Sequence, residues 1–228
     1  MTQPAQPTDY HHWQYFLALE NDLINVSRYI EFSKVTEVDS KNAKVYSIEL
    51  VRIFFAACAE CENIGKSLAH IRKGDLYDIS DEIFSLGNTN YAIIPFQQIS
   101  CPAHSLTFTP WQKWSLDKIN HPITLPRLVY QHPAWWTHHN NVKHNRVTAY
   151  EEANLLNTLN AVAGLMCLLF HDIFNDMGRS IPLEELTRKG YARGYTISLP
   201  PSLAPKLFIP QESGIGFGGQ NWTWDEYS

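Results

Sequence analysis

Apolar side chains return at steps of three and four in three stretches of this chain. Phe16, Leu19, Leu23, Val26 and Ile30 form one stripe. Leu50, Phe54, Ala57, Cys61, Ile64, Leu68 and Ile71 form a second, widened by Val51 and Phe55. Leu155, Leu159, Val162, Met166, Leu169 and Ile173 form the third. That spacing follows the turn of an α-helix, so each stretch predicts a helix with one apolar face. Residues 161–170 are apolar all round, which predicts a central helix touched on most sides. Ser47 is placed to cap the second helix with Glu49 in its first turn, and Lys73-Gly74 reads as its end.

Between about Asn88 and Gln131 the pattern changes. Tyr91-Ala-Ile-Ile-Pro-Phe, Ser105-Leu-Thr-Phe-Thr and Arg127-Leu-Val-Tyr are short, rich in β-formers and separated by prolines, which predicts two or three short strands or an extended excursion. Prolines 95, 102, 110, 122 and 126 exclude a long helix there, and Trp111 and Trp114 are expected to pack the excursion onto the helices. A short helix is expected around Leu183 to Lys189, followed by a proline-rich and glycine-rich wrapping segment. The reading is thus one mainly α domain over 1–228. It has a helical core at about 10–75 and 133–177, a β-containing insertion at about 85–131, and a C-terminal segment at about 178–228.

Composition narrows the class. A hydrophobic share of 44% with 18% charged residues is that of a globular chain. The longest apolar run, Ala161 to Phe170, is about half of what a membrane span requires, so no membrane association is expected. The polar start Met-Thr-Gln-Pro-Ala-Gln-Pro has neither a basic nor an apolar leader segment, and the four cysteines are irregularly placed; a reducing, cytoplasmic setting is expected. The net charge of −5 argues against strong indiscriminate DNA binding. Between Ile83 and Tyr150, however, the only acid is Asp117, against Lys113, Lys118, Arg127, Lys143 and Arg146. Either a local anion site or simply an acid-poor insertion accounts for that asymmetry.

Several motifs have bland explanations. Cys58-Ala-Glu-Cys61, with Cys167 and His171, has zinc-like spacing, but Cys61 and Cys167 lie in apolar stripes, which favours core packing and no metal. Gly214 to Gly219 lacks the strand and helix of a nucleotide loop. Arg127 and His132 are bracketed by Pro126 and Pro133, so they are not expected to share a face. Glu62 and Lys66 read as a solvated ion pair, whereas Glu60 borders the buried stripe and belongs either to a site or to a helix seam.

Residues 132–146, His-Pro-Ala-Trp-Trp-Thr-His-His-Asn-Asn-Val-Lys-His-Asn-Arg, hold four of the ten histidines and no acid. On a helix, His139 and Lys143 share one face, and Asn140 and His144 the adjacent one. Imidazoles that titrate near neutral pH, an amide and cations make up the kit for cleaving RNA, where a 2′-hydroxyl is activated and charge builds on phosphorus. The alternative is structural: Asn140 and His144 brace the last helix, with Trp135 and Trp136 as core anchors.

Long paired helices, then Trp-Trp, then Asn-x-x-x-His ahead of a final apolar helix resemble the HEPN superfamily. These are small α-helical domains of toxin–antitoxin, abortive-infection and other antiviral systems. The resemblance implies an Arg-Asn-x-x-x-His motif that acts on RNA across a homodimer without a metal or other cofactor. The asparagine falls on Asn140, the histidine on His144, and the arginine position on His139. An imidazole is a weaker cation than a guanidinium, so Lys143 or Arg146 would have to supplement it. The resemblance thus implies His144, Asn140 and His139 as catalytic residues, with Lys143 and Arg146 binding the substrate. It also implies a defence or stress-response endoribonuclease, with RNA and a protein of the same system as partners. The second reading is a catalytically inactive interaction module of the same fold that binds a protein partner.

Overall fold

Over the first apolar stripe the chain forms helix α1 (His11–Ser27), with Trp13, Phe16, Leu19 and Leu23 buried. In the computed structural model, residues 11–37, 39–83, 94–117, 129–180 and 205–210 are described. The second stripe becomes α2 (Ile48–Leu68), capped by the Ser47 hydroxyl, which accepts the Leu50 amide at 3.2 Å. The helix stops before the expected Lys73-Gly74. His70 takes a left-handed conformation (φ 56°), its amide donating to Ser67 O and that of Ile71 to Lys66 O. This pair of bonds closes a helix with a left-handed residue, a place where glycine is usual. Gly74 (φ 138°) instead leads into α3 (Leu76–Ile83), where the amides of Asp75 and Asp78 donate to each other's carboxylates. That reciprocal arrangement satisfies two helix-start donors.

The insertion supplies β1 (Ile99–Cys101), β2 (Leu106–Phe108), β3 (Ser115–Asp117) and β4 (Val129–Gln131). Strands β1 and β2 pair antiparallel with Ile99 opposite Phe108, and β3 and β4 with Ser115 opposite Gln131. Strand β2 lies within the expected Ser105–Thr109, and β4 takes in Val129 and Tyr130 of the expected Arg127–Tyr130, whose first two residues lie outside the described residues. At Tyr91–Phe96 the described part, Ile94–Phe96, is a 3-10 turn around Pro95. Then follow α4 (Ala134–His144), the short α5 (Arg146–Ala149) and α6 (Leu155–Ser180). Strand β5 (Ile209–Pro210) comes from the C-terminal segment and pairs with the other edge of β1, giving the order β2-β1-β5. The fold is mainly α with a small antiparallel β component. The helix expected at Leu183–Lys189 and the glycines at 214–219 lie outside the described residues.

Helix α6 is the axis of the core. It pairs most extensively with α2 and is also touched by α1, α4, β1 and β5. Its window Leu155–Asp172 has a mean hydropathy of 1.3, long and apolar enough by composition to cross a membrane, yet 72% of it is buried inside the fold. The uninterrupted run Ala161–Phe170 understates this stretch, because Asn157, Thr158 and Asn160 turn their polarity onto local backbone carbonyls.

Two devices fasten the periphery to this axis. Trp111, Trp114, Trp135 and Trp136 form a buried aromatic block. Indole N–H groups donate from Trp111 to Gly164 O (3.0 Å), from Trp135 to Pro110 O (2.7 Å) and from Trp114 to Ser80 Oγ (2.7 Å). Each of these three buried rings thereby keeps its polar edge satisfied. Gly164 suits the close approach: a Cβ there would lie 3.0 Å from the Trp135 ring, a tight contact. At the other end, the buried carboxylate of Glu20 on α1 accepts the backbone amides of Lys206, Leu207 and Phe208 at 2.7–3.0 Å. Burial pushes its pKa up against the pull of those three bonds. A carboxylate so enclosed holds the C-terminal segment where β5 joins the sheet.

Candidate functional site

The cluster singled out by sequence lies on α4, which Asn145 separates from α5, so the Asn-x-x-x-His motif sits on its own helix and not at the start of α6. Pro133 opens α4, and the buried side is Trp135, Trp136, His139 and Val142. Thr137, Asn140, Lys143 and His144 are exposed. At about 100° per residue, Thr137, Asn140 and His144 lie close together on the side opposite the tryptophans. The side chains of Asn140 and His144 are exposed and make no hydrogen bond among the described residues, so neither braces the core there. Trp135 and Trp136 are the anchors.

His139 is placed differently from its expected role. It is 5% exposed and enclosed by the rings of Phe54, Phe55 and Trp136 at centroid distances of 5.1–5.9 Å. Its Nδ1 has no hydrogen-bond partner among the described residues. Desolvation, helped by the nearby Lys143 charge, lowers its pKa to about 4. At neutral pH it is an uncharged ring in an apolar pocket, not a stand-in for a guanidinium. It shares a helix face with Lys143, as the spacing requires, but only Lys143 reaches solvent. Arg146 begins α5, exposed, with its guanidinium 6.0 Å from the Tyr150 ring centroid. The cations open to solvent beside Asn140 and His144 are therefore Lys143 and Arg146.

Sequence reasoning missed the groups on the adjoining flank. Glu152, in the 3-10 turn Tyr150–Glu152, receives His138 Nδ1 at 2.8 Å and Asn141 Nδ2 at 2.9 Å on the same oxygen. Burial acts to raise the Glu152 pKa, but those two bonds outweigh it and the net shift is downward. His138 is visible in the histidine count; its carboxylate partner comes from a different element and is not.

Other candidates resolve into structure. Glu60 bonds His12 across the α1–α2 seam, with Asn63 on its second oxygen, and Glu62 pairs with Lys66 one turn on. Cys58, Cys61, Cys101 and Cys167 are buried and free; burial raises the thiol pKa of each, that of Cys101 to about 11. Among the described residues, no group of three or more His, Cys, Asp and Glu side chains is close enough together to hold a metal ion. An open groove of about 400 Å³ is lined by Glu31, Lys34, Glu37, His104 and Ser105 and by no residue of α4. Arg127 and Lys118 lie outside the described residues.

The open flank of α4 thus offers imidazole, amide and cationic groups, a set suited to moving protons around an anionic substrate. Compared with known proteins, the chain matches no protein-family model, no curated protein and no solved structure.

Proposed function

We propose that this protein is a HEPN-like endoribonuclease of bacterial defence or stress response, acting in the cytoplasm without a metal. The observation that carries the reading is the exposure of Asn140 and His144 on the open side of α4, beside Lys143 and Arg146. Groups that served only to brace the helix would be turned inward, as Trp135, Trp136 and His139 are. In this reading His144 moves a proton, Asn140 orients the scissile phosphate, and Lys143 and Arg146 offset the charge that builds on it. His139 takes no part as a cation. The motif segments of two subunits meet in a homodimer.

A second reading draws on a different observation. Tyr46, Ile48 and Val147 are exposed, at 50%, 77% and 97%. Tyr46 meets Tyr150 edge-on, with ring centroids 5.9 Å apart. Exposed apolar side chains of this kind suit a catalytically inactive module that binds a protein of the same defence system. Purified protein incubated with total RNA and a tRNA pool, in the presence of chelator, separates the two. The ribonuclease reading expects cleavage that His144→Ala abolishes. An intact RNA pool with a folded native protein favours the interaction module.

A further inference from the structure

His138, Asn141 and His144 follow one another at intervals of three along α4. Each step moves about 4.5 Å along the axis and about 60° around it, so the three form one oblique stripe on the polar side of the helix. The Asn-x-x-x-His reading uses only the last of them. The first two converge on one carboxylate oxygen of Glu152. A carboxylate at Nδ1 selects the imidazole tautomer with its proton on that nitrogen, which leaves the lone pair on Nε2. The His138 side chain is 38% exposed, against 29% for Glu152, so the imidazole is open to solvent while its partner is more enclosed. Glu152 is itself held from behind, because Asn157 Nδ2 donates to its backbone oxygen at 2.7 Å. Its depressed pKa keeps it ionised, and hence an acceptor, at neutral pH. An open imidazole whose other nitrogen is fixed by an anchored carboxylate is the arrangement that a general base requires.

We propose that His138, positioned by Glu152, is the general base of this site and that His144 is the acid working opposite it. The proposal rests on the ribonuclease reading and assigns the proton transfers within it. Nε2 of His138 takes the proton of a ribose 2′-hydroxyl, and the 2′-oxygen bonds to the adjacent phosphorus. The P–O5′ bond breaks, and its electron pair leaves on the 5′-oxygen, which takes a proton from the protonated His144 ring. The products are a 2′,3′-cyclic phosphate and a 5′-hydroxyl end, and water returns the two imidazoles to their starting states. Asn141, midway along the stripe, fixes Glu152 and is a positioning residue, as Glu152 is.

The Glu152 bond also fastens α4 to the turn Tyr150–Glu152, so the test must separate anchoring from chemistry. His138→Asn retains an amide that donates to Glu152 but has no titrating nitrogen. Its melting temperature is expected to match native, while kcat on a fluorogenic single-stranded RNA falls about 100-fold with KM unchanged. Added imidazole is expected to restore roughly tenfold of the activity lost in His138→Ala, which an anchoring role would not allow. Glu152→Gln is expected to lower kcat less than His138→Asn. If His138→Asn cleaves like native while His144→Ala is inactive, the assignment of His138 fails and the ribonuclease reading stands. If native protein leaves the RNA intact, both fail together.

Discussion

Helix α4 has two sides that treat the same residue type in opposite ways. On the inner side His139 is sealed among Phe54, Phe55 and Trp136, its pKa lowered to about 4. On the outer side His144 stands exposed, and His138 is half-open and tied to Glu152. His138 and His139 are neighbours in sequence, yet one rotation of about 100° separates a core ring from a candidate catalytic group. Histidine density alone marks a candidate site; which histidines can belong to it is decided by the face that the tryptophans pull inward.

The sharpest way to test that division is acid. His139 and His171 are both buried with pKa values lowered to about 4, in each case chiefly by desolvation. The unfolded chain takes up protons on them near pH 6.5 and the folded chain does not, so stability falls as pH drops from about 6.5 to about 4. Each contributes a loss of roughly 3 kcal/mol across that window, the largest effect expected here. Melting temperature against pH should show it, and His139→Leu should remove part of the slope. A profile unchanged in His139→Leu would mean that His139 titrates normally and is not sealed.

Next in size is the fit beneath the tryptophans. Gly164→Ala places a methyl 3.0 Å from the Trp135 ring and 3.4 Å from the Trp111 indole nitrogen. Overpacking there should cost about 1–3 kcal/mol in urea denaturation. A cost near zero would show that α4 is not held down by this contact. Smallest is His144→Ala, which removes an exposed side chain with no hydrogen bond among the described residues. Its stability should lie within about 0.5 kcal/mol of native. A larger loss would place His144 in the bracing role that the alternative reading assigns it.

Much of the fold was legible because its helices are amphipathic and their stripes are long. The Ser47 cap, the central position of α6 and the packing of Trp111 and Trp114 all follow from residue type and spacing. What was not legible depended on partners far away in sequence. Strand β1, Ile99-Ser-Cys101, is too short to carry a period, and β5 exists only because it pairs with β1 across 109 positions. Helix α2 ends ahead of the Lys73-Gly74 signal because His70 adopts a left-handed conformation that glycine usually marks. At the site, the spacing placed Asn140 and His144 correctly on a shared face. It did not reveal that His139 faces inward, since the aromatic wall comes from α2, nor that Glu152 returns to hold His138 and Asn141.

The measurement that tests the division of α4 most directly is RNA cleavage by three proteins side by side: native, His139→Leu and His144→Ala. The account expects native and His139→Leu to cleave at comparable rates, and His144→Ala to be inactive while remaining folded. Loss of cleavage in a folded His139→Leu, with His144→Ala still active, would contradict it, because the working histidine would then be the one on the inner face.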